Sequence, residues 1–330
     1  MKKNKFSVDK QVKKSYKRFK SSRFFIPVVV VLVIAFAVYV FIPEHDNADL
    51  VSPALDGDIR YAIPSSPYKE QRVDHKAYSL GYNEDTEQPN WVAYVLTKDH
   101  LMAPESGRTE DFREDFSVLT GSASLDDYRS SGYDRGHLAP AADFKWNTDA
   151  MSETFYMSNM SPQEKEFNRG KWADLESAVR LNAYYDETLY VTTGPIFYKD
   201  KPVKRIGKNK VAVPHAYYKA LMVANEGDEK AIGFVLPNEN LTSPLVSYTM
   251  SIDELENITG LDFFPELSDD IENRIEANFN VGDWQYGKFK SPDSDGSFTP
   301  PVKNSDSSFE NTKREFRNLK RSIRSALGLK

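Results

Sequence analysis

Between Phe24 and Ile42 the chain runs for 19 residues without one charge, interrupted only by Pro27 and Tyr39. At ~1.5 Å of rise per residue such a run reaches about 28 Å, close to the ~30 Å of bilayer hydrocarbon. A core helix of a soluble domain carries a polar face at helical spacing, and this run has none, so it predicts a membrane-spanning helix. The leader before it is basic: residues 1–23 hold ten Lys/Arg, eight of them Lys, against Asp9 alone. Glu44, Asp46, Asp49 and Asp56 follow the run before the next cation, Arg60. This asymmetry, with no small-x-small cleavage site after Ile42, predicts an uncleaved single-pass anchor. Its N-terminus would be cytoplasmic and the remaining chain periplasmic or extracellular. A mitochondrial intermembrane space is the alternative, disfavoured because presequences are Arg-rich and this leader is Lys-rich.

The chain contains no cysteine, which excludes disulfide staples, thiolate zinc sites, Fe–S clusters and cysteine nucleophiles. Stability has to come from burial, and 20 Phe, 18 Tyr and a hydrophobic content of 40% are enough for one large core. Charge is segregated along the chain. The whole is −6, residues 1–23 are +9 and residues 309–330 are +5, which leaves −20 on residues 24–308. An acidic body excludes nucleic-acid binding by bulk charge, so such a partner would need positive potential focused at a cleft.

Punctuation by Pro53, Gly57 and Pro64 predicts a stalk over residues 43–66, then a main domain over 67–287 and a Ser/Asp/Pro/Gly linker over 288–308. Phe309, Phe316, Leu319, Ile323 and Leu327 step along a final basic amphipathic helix, residues 309–330, suited to an anionic partner or to docking on the acidic body. Strands are predicted at 91–97, at 189–193 with a halt at Gly194-Pro195, at 210–213 and at 231–236. Trp172, Leu175, Val179 and Asn182 predict a helix from Asn168 to about Tyr185. Strands mixed with helices, without regular βαβ alternation, predict an α+β fold around a mixed or antiparallel sheet.

The common hydrolase signatures G-x-S-x-G and H-E-x-x-H are missing, as is the phosphate loop G-x-x-x-x-G-K-[ST]. Asp293-Ser294-Asp295-Gly296 falls short of a calcium loop, because the glycine sits at position 4 and Asn304 stands where the bidentate Glu belongs. Three other blocks stand out: Ser131 to Asp143 with Asp134-Arg135-Gly136-His137 at its centre, Tyr156 to Gln163, and Asn168 to Glu176. Together they strongly resemble the DNA/RNA non-specific endonuclease family, the ββα-metal or His-Me finger nucleases. Thr193-Gly194-Pro195, Leu236-Pro237-Asn238 and Thr259-Gly260-Leu261 continue the resemblance, which covers about residues 75–270.

The chemistry asks for such residues on its own terms. Phosphodiester hydrolysis needs a base for water, a cation at the leaving oxygen and fixed positive charge at the phosphate. An imidazole titrates near neutral pH and can be that base. A lone His is more often structural, and His45, His75, His100 and His215 keep that reading. The resemblance implies that His137 is the general base and that Asn168 binds Mg²⁺ directly, with Mn²⁺ as a substitute. Glu176 would hold a metal-bound water, Arg135 and Arg180 would face the phosphate, and Asn159 would be an active-site amide beside the base. From Asn168 to Glu176 a regular helix turns about 800°, roughly 80° past two full turns, so both can address one broad face. The plain alternatives are a helix N-cap for Asn168 and an exposed i,i+4 ion pair for Glu176 and Arg180. Arg108 fits another family arginine at looser spacing, and Asp134 reads as an orienting residue. Asp143-Phe144 and Pro140 depart from the family pattern, which bears on substrate preference.

The expected protein is therefore a membrane-anchored, Mg²⁺-dependent, sugar-non-specific endonuclease whose partners are DNA, RNA, the membrane through residues 24–42, and a second copy in a homodimer. The alternative is a catalytically inactive nuclease-like binding or adaptor domain, which would lack the base or a metal residue. His137, Asn168 and Glu176 are all present.

Overall fold

The computed structural model describes residues 57–292 and 297–300. The leader, the apolar run Phe24–Ile42, most of the expected stalk and the basic segment 309–330 lie outside the described residues. Among the described residues the centre is a seven-stranded sheet whose ladders are all antiparallel. Its strands, in spatial order, are β1 (Gln71–Asp74), β2 (Tyr78–Asn83), β3 (Gln88–Thr97), β6 (Thr188–Ile196), β9 (Ala216–Val223), β10 (Lys230–Pro237) and β11 (Thr249–Met250). Two hairpins stand apart, β4 (Asp134–His137) with β5 (Met160–Gln163), and β7 (Arg205–Ile206) with β8 (Val211–Ala212).

The central strands are almost wholly apolar because both faces of the sheet are covered. On β3, Val92, Tyr94 and Leu96 enter one core while Trp91, Ala93 and Val95 enter the other. β9 alternates in the same way, with Tyr217, Leu221 and Val223 on the first face and Ala216, Tyr218, Ala220 and Met222 on the second. β6 does not halt at Gly194-Pro195, as the sequence predicted, but pairs through both to Ile196. Gly194 is there for proximity: a Cβ would stand 2.3 Å from the Asn90 carbonyl oxygen.

The β4–β5 hairpin leads directly into a helical segment that opens with Lys165–Phe167, passes through a π turn at Asn168–Trp172 and continues as α1 (Ala173–Asp186). Its N-cap is Glu164, whose carboxylate accepts from the Phe167 amide at 2.8 Å. Asn168 therefore sits inside the helical segment, and the N-cap alternative for it does not hold. Trp172, Leu175, Val179 and Leu181 bury this segment on the first face of the sheet. On the opposite face lie α2 (Ile252–Thr259) and α3 (Asp269–Ala277), held by Ile252, Leu255 and Ile275.

No helix among the described residues is long and apolar enough to cross a membrane, and the expected span at Phe24–Ile42 lies outside them. Two expectations about the domain's edges need correction. The end of the expected stalk belongs to the folded domain, since Ile59 and Ala62 are buried and Ser65 bridges Asp262. The expected linker also begins too early: Phe289 is buried, its amide donates to Ser177 Oγ at 2.9 Å, and Phe298 packs on Tyr184. Apolar side chains spaced among prolines and serines were enough to anchor both flanks.

Candidate active site

His137 closes β4, with Gly136 before it opposite Ser161 of β5. A Cβ at 136 would stand 2.1 Å from the buried Gln163 side chain, which would have to move to admit it. The His137 ring meets Phe155 edge-on at 4.9 Å and Phe112 at 5.7 Å. Its Nε2 is enclosed without a hydrogen-bond partner among the described residues. Burial, followed by the charges of Arg108 and Arg135, pushes the imidazole pKa down to about 3. The ring is thus neutral at neutral pH and has an open acceptor capacity.

Asn159 spends its side-chain hydrogen bonds on backbone. Its amide nitrogen donates to the carbonyls of Ala139 (2.9 Å) and Thr154 (2.8 Å), and its oxygen accepts from the Ala139 amide at 2.9 Å. One amide hydrogen is committed to the loop that follows His137 and the other to Thr154, so Asn159 ties that loop to the chain before it.

The π turn alters the helix geometry that the sequence implies. A π turn takes up one extra residue, so the eight-residue step from Asn168 to Glu176 behaves like seven residues of regular helix, about 700° and roughly 20° short of two turns. The two side chains are brought much closer to one face than regular winding allows. Asn168 Nδ2 donates to Asp134 Oδ2 at 3.2 Å, and Arg169 grips the same carboxylate at 2.9 and 3.1 Å. This engagement leaves Asn168 Oδ1 with no donor among the described residues. Glu176 is partly buried, and burial pushes its carboxyl pKa up against the lowering influence of Lys219, Arg180 and Arg108. An amide oxygen and a carboxylate are hard donors, and so few of them suit Mg²⁺, which keeps most of its waters.

The arginines divide into two kinds. Arg135 is exposed and lies over the Phe112 ring, its guanidinium carbon 4.2 Å from the centroid. Arg108, which sequence spacing placed only loosely, lies over the Phe155 ring at 5.1 Å and pairs with Glu110 at 3.0 Å. Arg180 is different: its Nη1 donates to the fully buried Asp143 at 2.7 Å, and Tyr94 donates to the other oxygen of that carboxylate at 2.9 Å. The ion-pair partner of Arg180 among the described residues is thus Asp143, and not Glu176 one turn away. Beside Arg135 a depression of about 330 Å³ is lined by Leu125, Tyr128, Arg129, Tyr133 and Asp134.

Sequence reasoning missed Lys219. This side chain of β9 is fully buried, with Nζ 3.3 Å from Thr193 Oγ1, 3.4 Å from the Leu138 carbonyl and 4.6 Å from the Trp172 ring centroid. Burial pushes its pKa down while Glu176 and Asp143 oppose that shift. The available signal was parity, since Lys219 alternates with Tyr217, Leu221 and Val223 on the face that carries α1. The other described histidines have structural partners: His75 pairs with Asp115 at 3.0 Å, His100 stacks on Trp146, and His215 Nδ1 accepts from the Tyr198 amide at 3.0 Å.

Residues 58–270 match the family model described as DNA/RNA non-specific endonuclease. Human mitochondrial endonuclease G is 34% identical over 220 residues, which cover 63% of this chain and 73% of the relative. The mitochondrial nuclease of Saccharomyces cerevisiae is 32% identical over 249 residues, covering 68% and 75% respectively. A crystal structure of an EndoG/EndoGI complex, concerned with the mechanism of EndoG inhibition, contains a chain that superposes with a TM-score of 0.58 at 30% identity, covering 64% of this chain and 91% of its counterpart. These names correct the expected localisation. Both of these relatives are mitochondrial by name, and the outward-facing, periplasmic or extracellular placement read from the leader is overturned.

Proposed function

The chain belongs to the DNA/RNA non-specific endonuclease family, and on that premise we propose that it hydrolyses DNA and RNA at the cleft formed by His137, Asn168 and Glu176, with Mg²⁺ as the metal. The observation that carries this reading is the environment of His137: a neutral imidazole with an unpartnered nitrogen, between two arginines held on aromatic rings.

Nε2 is enclosed and carries the single hydrogen of the neutral ring in this reading, so Nδ1 is the nitrogen that accepts from a water. His137 takes the proton of that water at Nδ1 as it attacks phosphorus. The arginines that add to burial in holding the free imidazole neutral are matched in charge when a phosphodiester docks beside them, and the basicity of His137 rises at that moment. Phe155 and Phe112 fix the ring plane, and Asn159 fixes the backbone that follows it. A magnesium ion held by Asn168 Oδ1 and, through water, by Glu176 would supply positive charge at the leaving oxygen. Arg180 is anchored by Asp143 at the wall of the site, where it and Lys219 favour the ionised form of Glu176.

The test is direct. The full-length chain is incubated with supercoiled plasmid and with a structured RNA, in Mg²⁺, in Mn²⁺ and in chelator. Metal-dependent internal cleavage of both polymers is expected. Cleavage of neither, with retained binding, would favour a non-catalytic nucleic-acid module.

A further inference from the structure

On the sheet face opposite His137, Asp253 and Glu256 of α2 and Glu276 of α3 bring carboxylate oxygens within 4.8 Å of one another. Glu276 is only 5% exposed, and its Oε1 is enclosed in this cluster without a hydrogen-bond partner among the described residues. A carboxylate oxygen in that position has given up water and received nothing in return, which costs several kcal/mol for an isolated ion. We propose that Asp253, Glu256 and Glu276 form a calcium site that ties α2 to α3.

The donor set is three hard carboxylate oxygens, the composition that Ca²⁺ takes and that softer metals do not select. Ligand count separates Ca²⁺ from Mg²⁺: magnesium keeps most of its waters and takes about one or two carboxylates, whereas calcium accepts roughly six to eight oxygens. One oxygen from each of the three residues lies within 4.8 Å of the others, near enough for a single ion to reach all three. The scaffold is also prepared. One oxygen of Glu256 accepts from the Phe263 amide at 2.8 Å, which fixes its rotamer and leaves the second oxygen to the cluster. Asp253 lies one turn before Glu256 on α2, and its greater exposure gives the ion an entry path and room for waters.

The inference does not depend on the nuclease reading. Full-length protein stripped with chelator is titrated with Ca²⁺ alone while its unfolding temperature is followed, for the native chain and for Asp253→Asn, Glu276→Gln and Asn168→Ala. The native chain and Asn168→Ala should show the same saturable rise in unfolding temperature. Asp253→Asn and Glu276→Gln should lose it, or require at least about tenfold more Ca²⁺. Because Asp253 is exposed, its variant keeps the test valid if Glu276→Gln does not fold. Absence of a response in the native chain, or a response that survives Asp253→Asn, overturns the site. A response lost only in Asn168→Ala assigns the ion to the catalytic cleft and overturns it equally.

Discussion

Asp134 Oδ2 accepts from Asn168 Nδ2 at 3.2 Å, so the amide of the proposed metal ligand is oriented from β4, the strand that also carries His137. A carboxylate that holds the donor end of an amide leaves the acceptor end for the ion. Arg169 in turn holds the carboxylate from the π turn.

Asp134→Ala should therefore act through the metal and not through the base. Loss of a residue that orients a ligand typically costs about 10–100-fold in metal affinity or activity. A Mg²⁺ titration of plasmid cleavage should show the half-saturating concentration rising by about that factor, with turnover at saturating Mg²⁺ largely restored. A variant whose turnover falls at every Mg²⁺ concentration would place Asp134 in the chemical step.

His137→Ala should lower turnover by about 10²–10⁴-fold, the usual contribution of a positioned base. The ring packs on Phe155 and Phe112, so some loss of stability accompanies the change; circular dichroism and an unfolding curve distinguish the two effects. Retention of most turnover in a folded variant would remove His137 from the mechanism.

Arg135→Ala should change the pH profile as well as the rate. Burial, and after it the charges of Arg108 and Arg135, holds the His137 pKa down to about 3 in the free protein, and the base works only when unprotonated. Removing one cation raises that pKa, so the acidic limb of kcat/KM should move to higher pH. A limb that stays in place while the rate drops would confine Arg135 to substrate binding.

Lys219→Met keeps the length of the side chain but removes the cation that favours ionised Glu176. Cleavage near pH 7 should fall by about tenfold and recover as pH rises, since one unit of pKa is worth a factor of ten. An unchanged profile would reduce Lys219 to a packing role under Trp172.

In the presence of chelator, stability should fall as pH rises from 6 to 9. Burial, then Glu256, Glu272, Asp253 and Asp262, push Glu276 up to about 9; burial, then Asp262, Asp253 and Glu272, push Glu256 up to about 7 against the Phe263 amide. The folded protein then binds more protons than the unfolded chain above the ordinary glutamate range, so each pH increment up to about 9 favours unfolding. Unfolding temperatures should decline across this window in the native chain and flatten in Glu276→Gln. A slope identical in both would assign the dependence elsewhere.

The motif residues were legible in sequence because they are local: Asp134, Arg135 and His137 share a four-residue strand, and Asn168 and Glu176 share one helical segment. What could not be read required pairing at a distance or a departure from regular winding. The Asp143 partner of Arg180 is 37 residues away, and the π turn that realigns Asn168 with Glu176 leaves no compositional trace. β9 escaped notice since a lysine in its middle broke an otherwise apolar run, although that lysine lies beneath the site. The fold class followed from strands and helices without βαβ order. The extent of the domain did not, because Ile59 and Phe289 are single apolar anchors in stretches that otherwise read as tether.

The stacking of Arg135 on Phe112 has a consequence for how an acidic protein approaches a polyanion. An aromatic face immobilises a guanidinium without cancelling its charge, whereas Asp143 and Asp134 neutralise the arginines they hold. A ring therefore acts as a mount that leaves the electric field intact. Over a body of formal charge −20, the attraction felt by an incoming strand is confined to the few ångströms around such mounts. Encounter should then be short-ranged and sensitive to ionic strength, with productive contact made where the base is and little adhesion elsewhere on the surface.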